Sequence, residues 1–322
     1  MGYRKLVTIC AATLLAAALP AWSQSYPVKP VRVLLGYAPG GPTDLTARLV
    51  GQYLQDTLGQ PLVMDNRPGA GGSLAATMLA QSEPDGYTLM LAANGEIAIA
   101  PNLRKKLPYD PLRDVAPISR VGWSQLVLVV YPGMPAKTTA DLIKLAKSRP
   151  GTVNFASAGV GSTAHLAGEY FKHLAHVDIV HVPYKGAGPA LSDLMGGQVQ
   201  MLITGYSAAS AHINAGKLRA LAVTGGKRLA AVPDLPTIGE TVPGYEVTSW
   251  YGFVAPARTP QAVIAKLQKQ IAEVVKRPNV VERMATLGIE AEGNGPAEFR
   301  QQMVQEIATW SKVIKAAKVQ LD

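Results

Sequence analysis

Two glycine-rich loops in this sequence each separate a run of apolar residues from the start of an amphipathic segment. The first loop, GYAPGGPT at residues 36–43, has the spacing of the phosphate-binding motif G-x-x-x-x-G-K-[ST], with Gly36, Gly41 and Thr43 in place. Pro42 stands where that motif needs a lysine to neutralise the terminal phosphates. The substitution argues against a nucleoside triphosphate, but the amides at the start of a helix would still attract an anion.

A carboxylate suits the parts of the first loop that remain. Gly40 and Gly41 allow unusual dihedral angles and the close approach of a ligand. A carboxylate needs only two or three amide or hydroxyl donors, and Thr43 and the following amides supply them. The alternative is a tight turn in which Thr43 or Asp44 only caps the helix, and the loop by itself leaves both interpretations open.

The second loop contains GVGSTA at residues 159–164, which matches the dinucleotide fingerprint G-x-G-x-x-[GA] between a strand and a helix. The acidic residue expected at the end of the next strand is missing, because Asp178 lies at that strand's beginning. Ser162, Thr163 and their amides instead predict a carboxylate site. The helix dipole disfavours a cationic His165 in the first turn, so this residue either donates a neutral hydrogen bond to the ligand or packs.

Two further candidates follow predicted strands, where open α/β sheets place ligand contacts. Asn94 comes directly after the strand at residues 87–93, and Lys185 follows the strand at residues 178–184 and offers a cation. Each has a structural alternative. The sequence contains neither a G-x-S-x-G nor an H-E-x-x-H motif, and His173 and His176 have no acidic neighbour at ligand spacing. We therefore predict no enzyme, metal site or cofactor.

The N-terminus has the order of a secretory signal, with Arg4 and Lys5 before an apolar stretch at residues 6–19 and small residues before position 24. The stretch is shorter than the roughly 20 residues that a membrane span needs. We predict a signal peptide over residues 1–23 and a periplasmic location. Cys10 is the only cysteine, so the rest of the chain can form neither a disulfide nor a cysteine-ligated zinc site.

Composition limits the partners further. Of the 322 residues, 48% are apolar and 16% are charged, and the formal net charge is +9. The basic residues are scattered rather than interleaved with aromatic ones, so we expect no nucleic-acid partner. A chain of this length is long for a single core and predicts two lobes.

Short apolar runs alternate with amphipathic segments along most of the chain, which predicts an α/β fold with a doubly wound, mainly parallel sheet in each lobe. Strands are predicted at residues 31–37, 61–65, 87–93, 126–131, 153–157, 178–184, 198–204 and 218–224. Helices are predicted at residues 44–58, 139–147, 163–174, 189–195, 208–215, 260–276 and 296–318, and Leu74, Met78 and Leu79 mark one more. The last helix carries an apolar stripe that we expect to be buried, formed by Phe299, Met303, Ile307, Trp310 and Ile314.

The unit of strand, glycine loop and helix occurs early in the chain and again midway, which indicates two similar lobes that present their loops to a shared cleft. The apolar runs at residues 126–131 and 251–255 are candidates for the crossings between them. We predict that residues 24–124 and 250–322 form lobe 1 and that residues 125–249 form lobe 2.

Many dispersed blocks of the chain, in one order, resemble the Bug-type extracytoplasmic solute receptors, the periplasmic binding components of tripartite tricarboxylate transporters. They include YAPGGPTD, DNRPGAGGS, PDGYTL, LPYDPLRDVAPIS, SAGVGSTAHLAGE, HVPYKGAGPALSDLMGGQV, AGKLRALAVT and VPGYEVTSWYGFVAPA. The resemblance covers essentially the whole chain after the signal. It implies a two-lobed periplasmic-binding-protein fold that closes like a Venus flytrap on a small carboxylate, without catalysis.

In this family the two glycine loops hold the ligand carboxylate, and they correspond here to residues 37–44 and 157–165. With the strand-end candidates, the predicted ligand-binding residues are Tyr37, Pro39, Gly40, Gly41, Thr43, Asp44, Asn94, Ala158, Gly161, Ser162, Thr163, His165, Lys185 and Tyr206. Tyr206 would stack on an aromatic ligand or fill the space left by a smaller one.

The chain departs from the family pattern at Glu96, where many members have a small or hydroxyl residue, and at Thr204-Gly205-Tyr206. The ligand stays open among aliphatic dicarboxylates, amino acids and aromatic acids. The resemblance implies a monomer that delivers its ligand to the permease subunits of a tripartite transporter. Alternatives are a receptor that reports to a signalling partner, or an exported enzyme, which would need an acid or nucleophile within reach of His165.

Overall fold

The computed structural model describes residues 26–319, and the predicted signal peptide with Cys10 lies outside the described residues. Ten strands within that range form one mixed sheet. They are β1 (Val31–Leu35), β2 (Leu62–Asn66), β3 (Thr88–Ala92), β4 (Val115–Val130), β5 (Val153–Ser157), β6 (Ile179–Pro183), β7 (Met201–Gly205), β8 (Arg219–Val223), β9 (Thr248–Pro256) and β10 (Ile289–Ala291).

Helices follow most of the strands. They are α1 (Pro42–Leu58), α2 (Ser73–Ala80), α3 (Ala100–Leu103), α4 (Thr139–Ser148), α5 (Thr163–Ala175), α6 (Ala187–Met195), α7 (Tyr206–Asn214), α8 (Gln261–Val275), α9 (Pro278–Thr286) and α10 (Pro296–Ala316). The sequence did not predict α3, α9, β10, the 3₁₀ turns at Ala70–Gly72 and Ile238–Glu240, or the π-helical turn at Gly95–Ile99. None of the helices within residues 26–319 is long and apolar enough to cross a membrane.

Parallel pairing is confined to two groups of strands, each built from α/β units as predicted. β1 lies between β2 and β3, and β5 lies between β6 and β7, all in parallel. The long strands β4 and β9 join these groups through antiparallel pairing. The α/β fold class is confirmed, but the sheet is mixed because its centre is antiparallel.

Strand β4 divides the sheet into two regions. From Val115 to Gln125 it pairs with β9, and its Gly122–Ser124 segment also pairs with β10. From Leu126 to Val130 it pairs with β7 and β8. We call the strands β2-β1-β3-β9-β4-β10 the first region and β8-β4-β7-β5-β6 the second region. The lobe boundaries given above at residues 124/125 and 249/250 remain predictions.

The sequence predicted only the end of β4, since its first part contains polar residues and two register shifts. The shifts lie between Pro117 and Ser119 and between Arg120 and Gly122. Such irregularities break the alternation of apolar and polar residues on which a strand prediction rests. The apolar run that was predicted is therefore the buried half of a strand of 16 residues.

Helix α10 contributes to the cores of both regions. Phe299 and Met303 belong to an apolar cluster with Leu34 and Met90 of the first region. About two turns further along the helix, Trp310 and Ile314 belong to a cluster with residues of β4, β5 and β7 in the second region. Ile307 packs against this cluster. The predicted buried stripe is confirmed, and the helix spans the two regions rather than covering one.

Candidate ligand-binding site

The first glycine loop, residues 36–41, connects the end of β1 to the start of α1. Gly40 has a φ of 78°, in the left-handed region that favours glycine, and its N–H donates to Asp44 Oδ2 at 3.1 Å. Arg48 and Asn66 also donate to the Asp44 carboxylate, at 2.9 to 3.2 Å. Burial alone would raise the pKa of Asp44, but these hydrogen bonds hold it below its usual value. Asp44 therefore maintains the shape of the loop.

The second loop, residues 158–162, connects β5 to α5. Ser157 Oγ accepts from Gly159 N–H at 3.1 Å, and Ser162 Oγ accepts from His165 N–H at 3.2 Å. Ser162 is thus the N-cap of α5, as its hydroxyl accepts from a first-turn amide. Because the Ser162 oxygen acts as acceptor in this bond, its own hydrogen stays available to a ligand.

A cavity of about 50 Å³ lies between the two loops. Every residue that lines it is uncharged. Five of them are serines or threonines, which carry aliphatic hydroxyl groups: Thr43, Ser162, Thr163, Thr204 and Ser249. Tyr37 and Tyr251 add two phenols, whose pKa values burial raises, so both stay protonated. The remaining lining residues are Gly41, Pro42, Ala93, Leu126, Ala158, Ala164, Ala187 and Gly205.

Four helices begin at this cavity. Residues at the starts of α1, α5 and α6 line it, as does Gly205, the N-cap of α7. The first amides of a helix have no acceptor within the helix, and the helix dipole adds partial positive charge there. The site therefore has a positive potential although no lysine or arginine lines it.

The structure brings together six of the predicted ligand-binding residues: Tyr37, Gly41, Thr43, Ala158, Ser162 and Thr163. The other eight do not line the cavity. Pro39, Gly40, Asp44 and Gly161 shape the two loops beside it, and Asn94, His165, Lys185 and Tyr206 lie further out.

Tyr206 is buried in an apolar cluster of the second region with Leu229, and a methyl group on Gly288 would lie 2.9 Å from its ring. Lys185 is exposed on the surface, where its carbonyl rather than its ammonium group is used: it accepts from Ala38 N–H at 3.0 Å. Neither side chain lines the cavity.

Asn94 is completely buried and holds β9 and α10 together. Its Nδ2 donates to Glu306 Oε2 at 2.9 Å, and its Oδ1 accepts from Ser249 Oγ and Trp250 N–H, each at 3.1 Å. Burial raises the pKa of Glu306. Asn94 thus acts on the cavity through Ser249, whose hydroxyl hydrogen it fixes.

Glu96 lies behind the cavity and is completely buried. Its Oε1 accepts from Ala93 N–H at 2.7 Å, and Tyr37 Oη lies 3.2 Å from Oε2 and 2.9 Å from the carbonyl oxygen of Gly71. Burial raises the pKa of Glu96 to about 7, against the lowering effect of these hydrogen bonds. The acid therefore does not place a full negative charge beside an anion site below neutral pH.

His165 supports the second loop from below. Its Nδ1 accepts from Gly161 N–H at 3.2 Å, and its ring stacks on His181 with 4.1 Å between centroids. His181 Nε2 in turn lies 2.7 Å from Ser157 Oγ. Burial lowers the pKa of His165 to about 4, and burial together with His165 lowers that of His181 to about 3. Both imidazoles are neutral at pH 7, as the position of His165 at the start of a helix predicted.

Pattern reasoning from the sequence missed Ser249 and Tyr251, which reach the cavity from β9. Their strand runs antiparallel to β3 and β4, so an alternating α/β pattern does not indicate where it ends. Thr204 and Gly205 had a usable signal, since they end a strand and precede a helix. Groups of three or more potential metal ligands do not occur within residues 26–319.

Comparison with known proteins identifies the family of this chain. A sequence model of the tripartite tricarboxylate transporter family receptors (TctC) matches residues 46–319. Protein BugT of Bordetella pertussis is 37% identical over 306 residues, which cover 94% of either chain. A structure of Rpa4515 from R. palustris with adipate is 35% identical at a TM-score of 0.89 and covers 92% of this chain and 99% of that one.

A structure of MatC from Rhodopseudomonas palustris with bound malate is 34% identical at a TM-score of 0.86, and covers 90% of this chain and all of that one. These matches confirm the resemblance to the Bug-type receptors and the two-lobed periplasmic-binding-protein fold. The chain therefore belongs to the tripartite tricarboxylate transporter receptor family, whose members are solute-binding proteins and not enzymes.

Proposed function

We propose that this chain captures a small carboxylate in the cavity between its two glycine loops. The observation that carries the proposal is the convergence of four helix N-termini on a cavity lined only by uncharged residues. Each helix end contributes about 0.3–1 kcal/mol towards an anion at an exposed site, and up to about 2 kcal/mol where it is partly buried.

Uncharged donors also suit reversible binding. A lysine in a buried site would form a strong pair with the ligand and would itself lose solvation. Hydroxyl and amide donors meet a carboxylate by charge-assisted hydrogen bonds, which are shorter and stronger than neutral ones. Adipate and malate, held by two relatives that are 34–35% identical, are both aliphatic dicarboxylates, and we propose this class first for the present chain.

We further propose export by the N-terminal signal, a monomeric receptor in the periplasm, and delivery of the ligand to the permease subunits of a tripartite transporter. The family supports this role. A receptor that reports the carboxylate to a signalling partner would use the same cavity. In cells that lack the cognate permease, a transport role predicts that uptake of the ligand stops, and a signalling role predicts that the response to the ligand persists.

A thermal-shift screen of refolded residues 24–322 tests the ligand class. The panel contains mono-, di- and tricarboxylates, amino acids and aromatic acids, and refolding removes any ligand that purifies with the protein. We expect a rise of several degrees for one carboxylate class, because a ligand that binds only the folded state stabilises it by mass action. The absence of a shift for every carboxylate would contradict the proposal.

We predict that Ser162→Ala and Thr163→Val each weaken carboxylate binding by about 1–3 kcal/mol, since each removes a charge-assisted hydrogen bond. Titration calorimetry measures the affinities. Ser162→Ala also removes the helix cap, at a cost of about 1 kcal/mol in stability. Thr163→Val leaves the cap intact and isolates the effect on binding.

Ser148→Ala at the exposed end of α4 is the matched control for these two variants, because Ser148 Oγ donates only to the carbonyl of Leu145. Its carboxylate affinity should equal that of the wild type. Wild-type affinity in both loop variants would remove the second loop from the site.

A further inference from the structure

Most of the residues that line the cavity are buried, and Pro42 and Ala158 are half-buried. Main-chain segments from the two sides of the cleft meet at the cavity. Residues 38–41 and 70–72 lie on one side, and residues 158–161 and 185–188 lie on the other. A hydrogen bond of 3.0 Å from Ala38 N–H to the Lys185 carbonyl links the two sides.

Glycines make up most of this contact. A methyl group on Gly188 would lie 2.4 Å from the carbonyl oxygen of Pro39, and one on Gly186 would lie 2.7 Å from Ala38 N. One on Gly71 would lie 2.7 Å from the carbonyl oxygen of Val160. Real Cβ atoms essentially never approach another heavy atom this closely, since such contacts stay above 3.0 Å. We call Gly71, Gly186 and Gly188 the glycine seam.

Backbone conformation explains only one of the three glycines. Gly71 has a φ of 64°, which by itself favours glycine. Gly186 is extended, and Gly188 lies in the first turn of α6, where alanine would be at least as favourable. What these two positions have in common is the approach of the opposite main chain, which no side chain rotation could relieve.

We infer that Gly186 and Gly188 are positioning residues for ligand capture: without side chains, they let the two sides close main chain against main chain over the cavity. Neither glycine lines the cavity. Gly188 is the more informative of the two, because it lies in the first turn of α6, where the backbone itself accepts alanine. Its enlargement should therefore impair closure without removing any contact to the ligand. The ligand-binding readout of this inference rests on the proposed function.

The first test compares Gly188→Ala with Gly196→Ala at the other end of α6. Gly196 has a φ of −78°, and a methyl group there would meet its nearest neighbours at an ordinary 3.6 Å. Titration with adipate and with malate should show binding about 10- to 100-fold weaker for Gly188→Ala, as overpacking of this size predicts. Gly196→Ala should bind like the wild type, and both variants should keep the wild-type circular dichroism spectrum. Equal affinity of both variants would overturn the inference.

The second test needs no ligand. A Cβ built on Gly41 would lie 3.6 Å from the Cβ of Ala187 across the cleft, within the range of a disulfide. Residues 24–322 contain no cysteine, so Gly41→Cys with Ala187→Cys introduces a unique pair. We expect an intramolecular disulfide under mild oxidation, seen as loss of both free thiols, and slower formation when Gly188→Ala is added.

The two tests separate the inference from the proposed function. If the wild type binds no carboxylate but the disulfide forms and Gly188→Ala slows it, the function is wrong and the closure stands. Thiols that stay free in the folded double variant, or a rate that Gly188→Ala leaves unchanged, would contradict the closure.

Discussion

Between pH 6.5 and pH 4 the wild-type chain is expected to lose at least about 3 kcal/mol of stability relative to a variant in which His165 and His181 cannot take up a proton. Both residues have pKa values well below 6.5 in the folded state, about 4 and about 3. Between those values and 6.5 the unfolded chain binds more protons than the folded chain. The free energy of unfolding therefore falls as the pH falls.

Protonation would also disturb the second glycine loop. Nδ1 of His165 accepts from Gly161 N–H, so a proton on it would place two donors opposite each other. Glu169 Oε1 lies 4.0 Å from the other ring nitrogen, and His181 stacks on the ring from the side of Ser157. Carboxylate affinity should fall over the same pH range, since Gly161 precedes the two hydroxyl residues that begin α5.

The comparison variant is His165→Asn with His181→Gln. Asparagine Oδ1 can replace the accepting Nδ1 of His165, and the amide of glutamine can replace Nε2 of His181. Denaturant unfolding from pH 4 to pH 8 measures the free energy for both proteins. Parallel curves for wild type and variant would contradict the prediction, and so would a wild type that gains stability on acidification relative to the variant.

Replacement of Glu96 by glutamine should act in the opposite sense. The pKa of Glu96 is raised on folding, so the folded chain binds more protons than the unfolded chain between pH 4.5 and about 7, and the wild type loses stability as the pH rises through that range. The free energy of unfolding of Glu96→Gln, measured relative to that of the wild type, should therefore be about 3 kcal/mol higher above pH 7 than at pH 4.

Glutamine fits the hydrogen bonds that the site already contains. Its oxygen can accept from Ala93 N–H, and its amide can donate to Tyr37 Oη while Tyr37 donates to the carbonyl of Gly71. Unfolding curves at pH 4 and pH 9 check the gain. Glu83→Gln on the surface is the control and should change stability by less than about 0.5 kcal/mol. A stability difference between Glu96→Gln and wild type that does not change with pH would show that Glu96 ionises normally.

Local patterns predicted the parts of the site that depend on neighbouring residues. Ser162 and Thr163 could be assigned because a strand, a glycine loop and a helix follow one another within a few residues, and the cap geometry follows from that order. Thr43 and Gly41 were found in the same way.

Residues whose environment depends on distant pairing were beyond these patterns. Asn94 follows a buried strand, as a ligand contact would, but its amide bonds to β9 and α10, more than 150 residues away. Tyr206 begins α7 beside the cavity, yet its ring lies in the core next to Gly288. A local pattern could not show this, because Gly288 lies far along the chain. Glu96 is hidden in the same way: no local signal shows that it is buried behind Tyr37.

The span of α10 across both cores has a consequence for the order of folding. Strands β1 to β3 are synthesised first, but the antiparallel partner of β3 is β9, and Phe299 and Met303 close their core only near the C-terminus. The second region likewise waits for Trp310 and Ile314. Contacts of such long sequence separation form slowly, since the closure of large loops must precede them. The cores of both regions can therefore be completed only after almost all of the chain has been made.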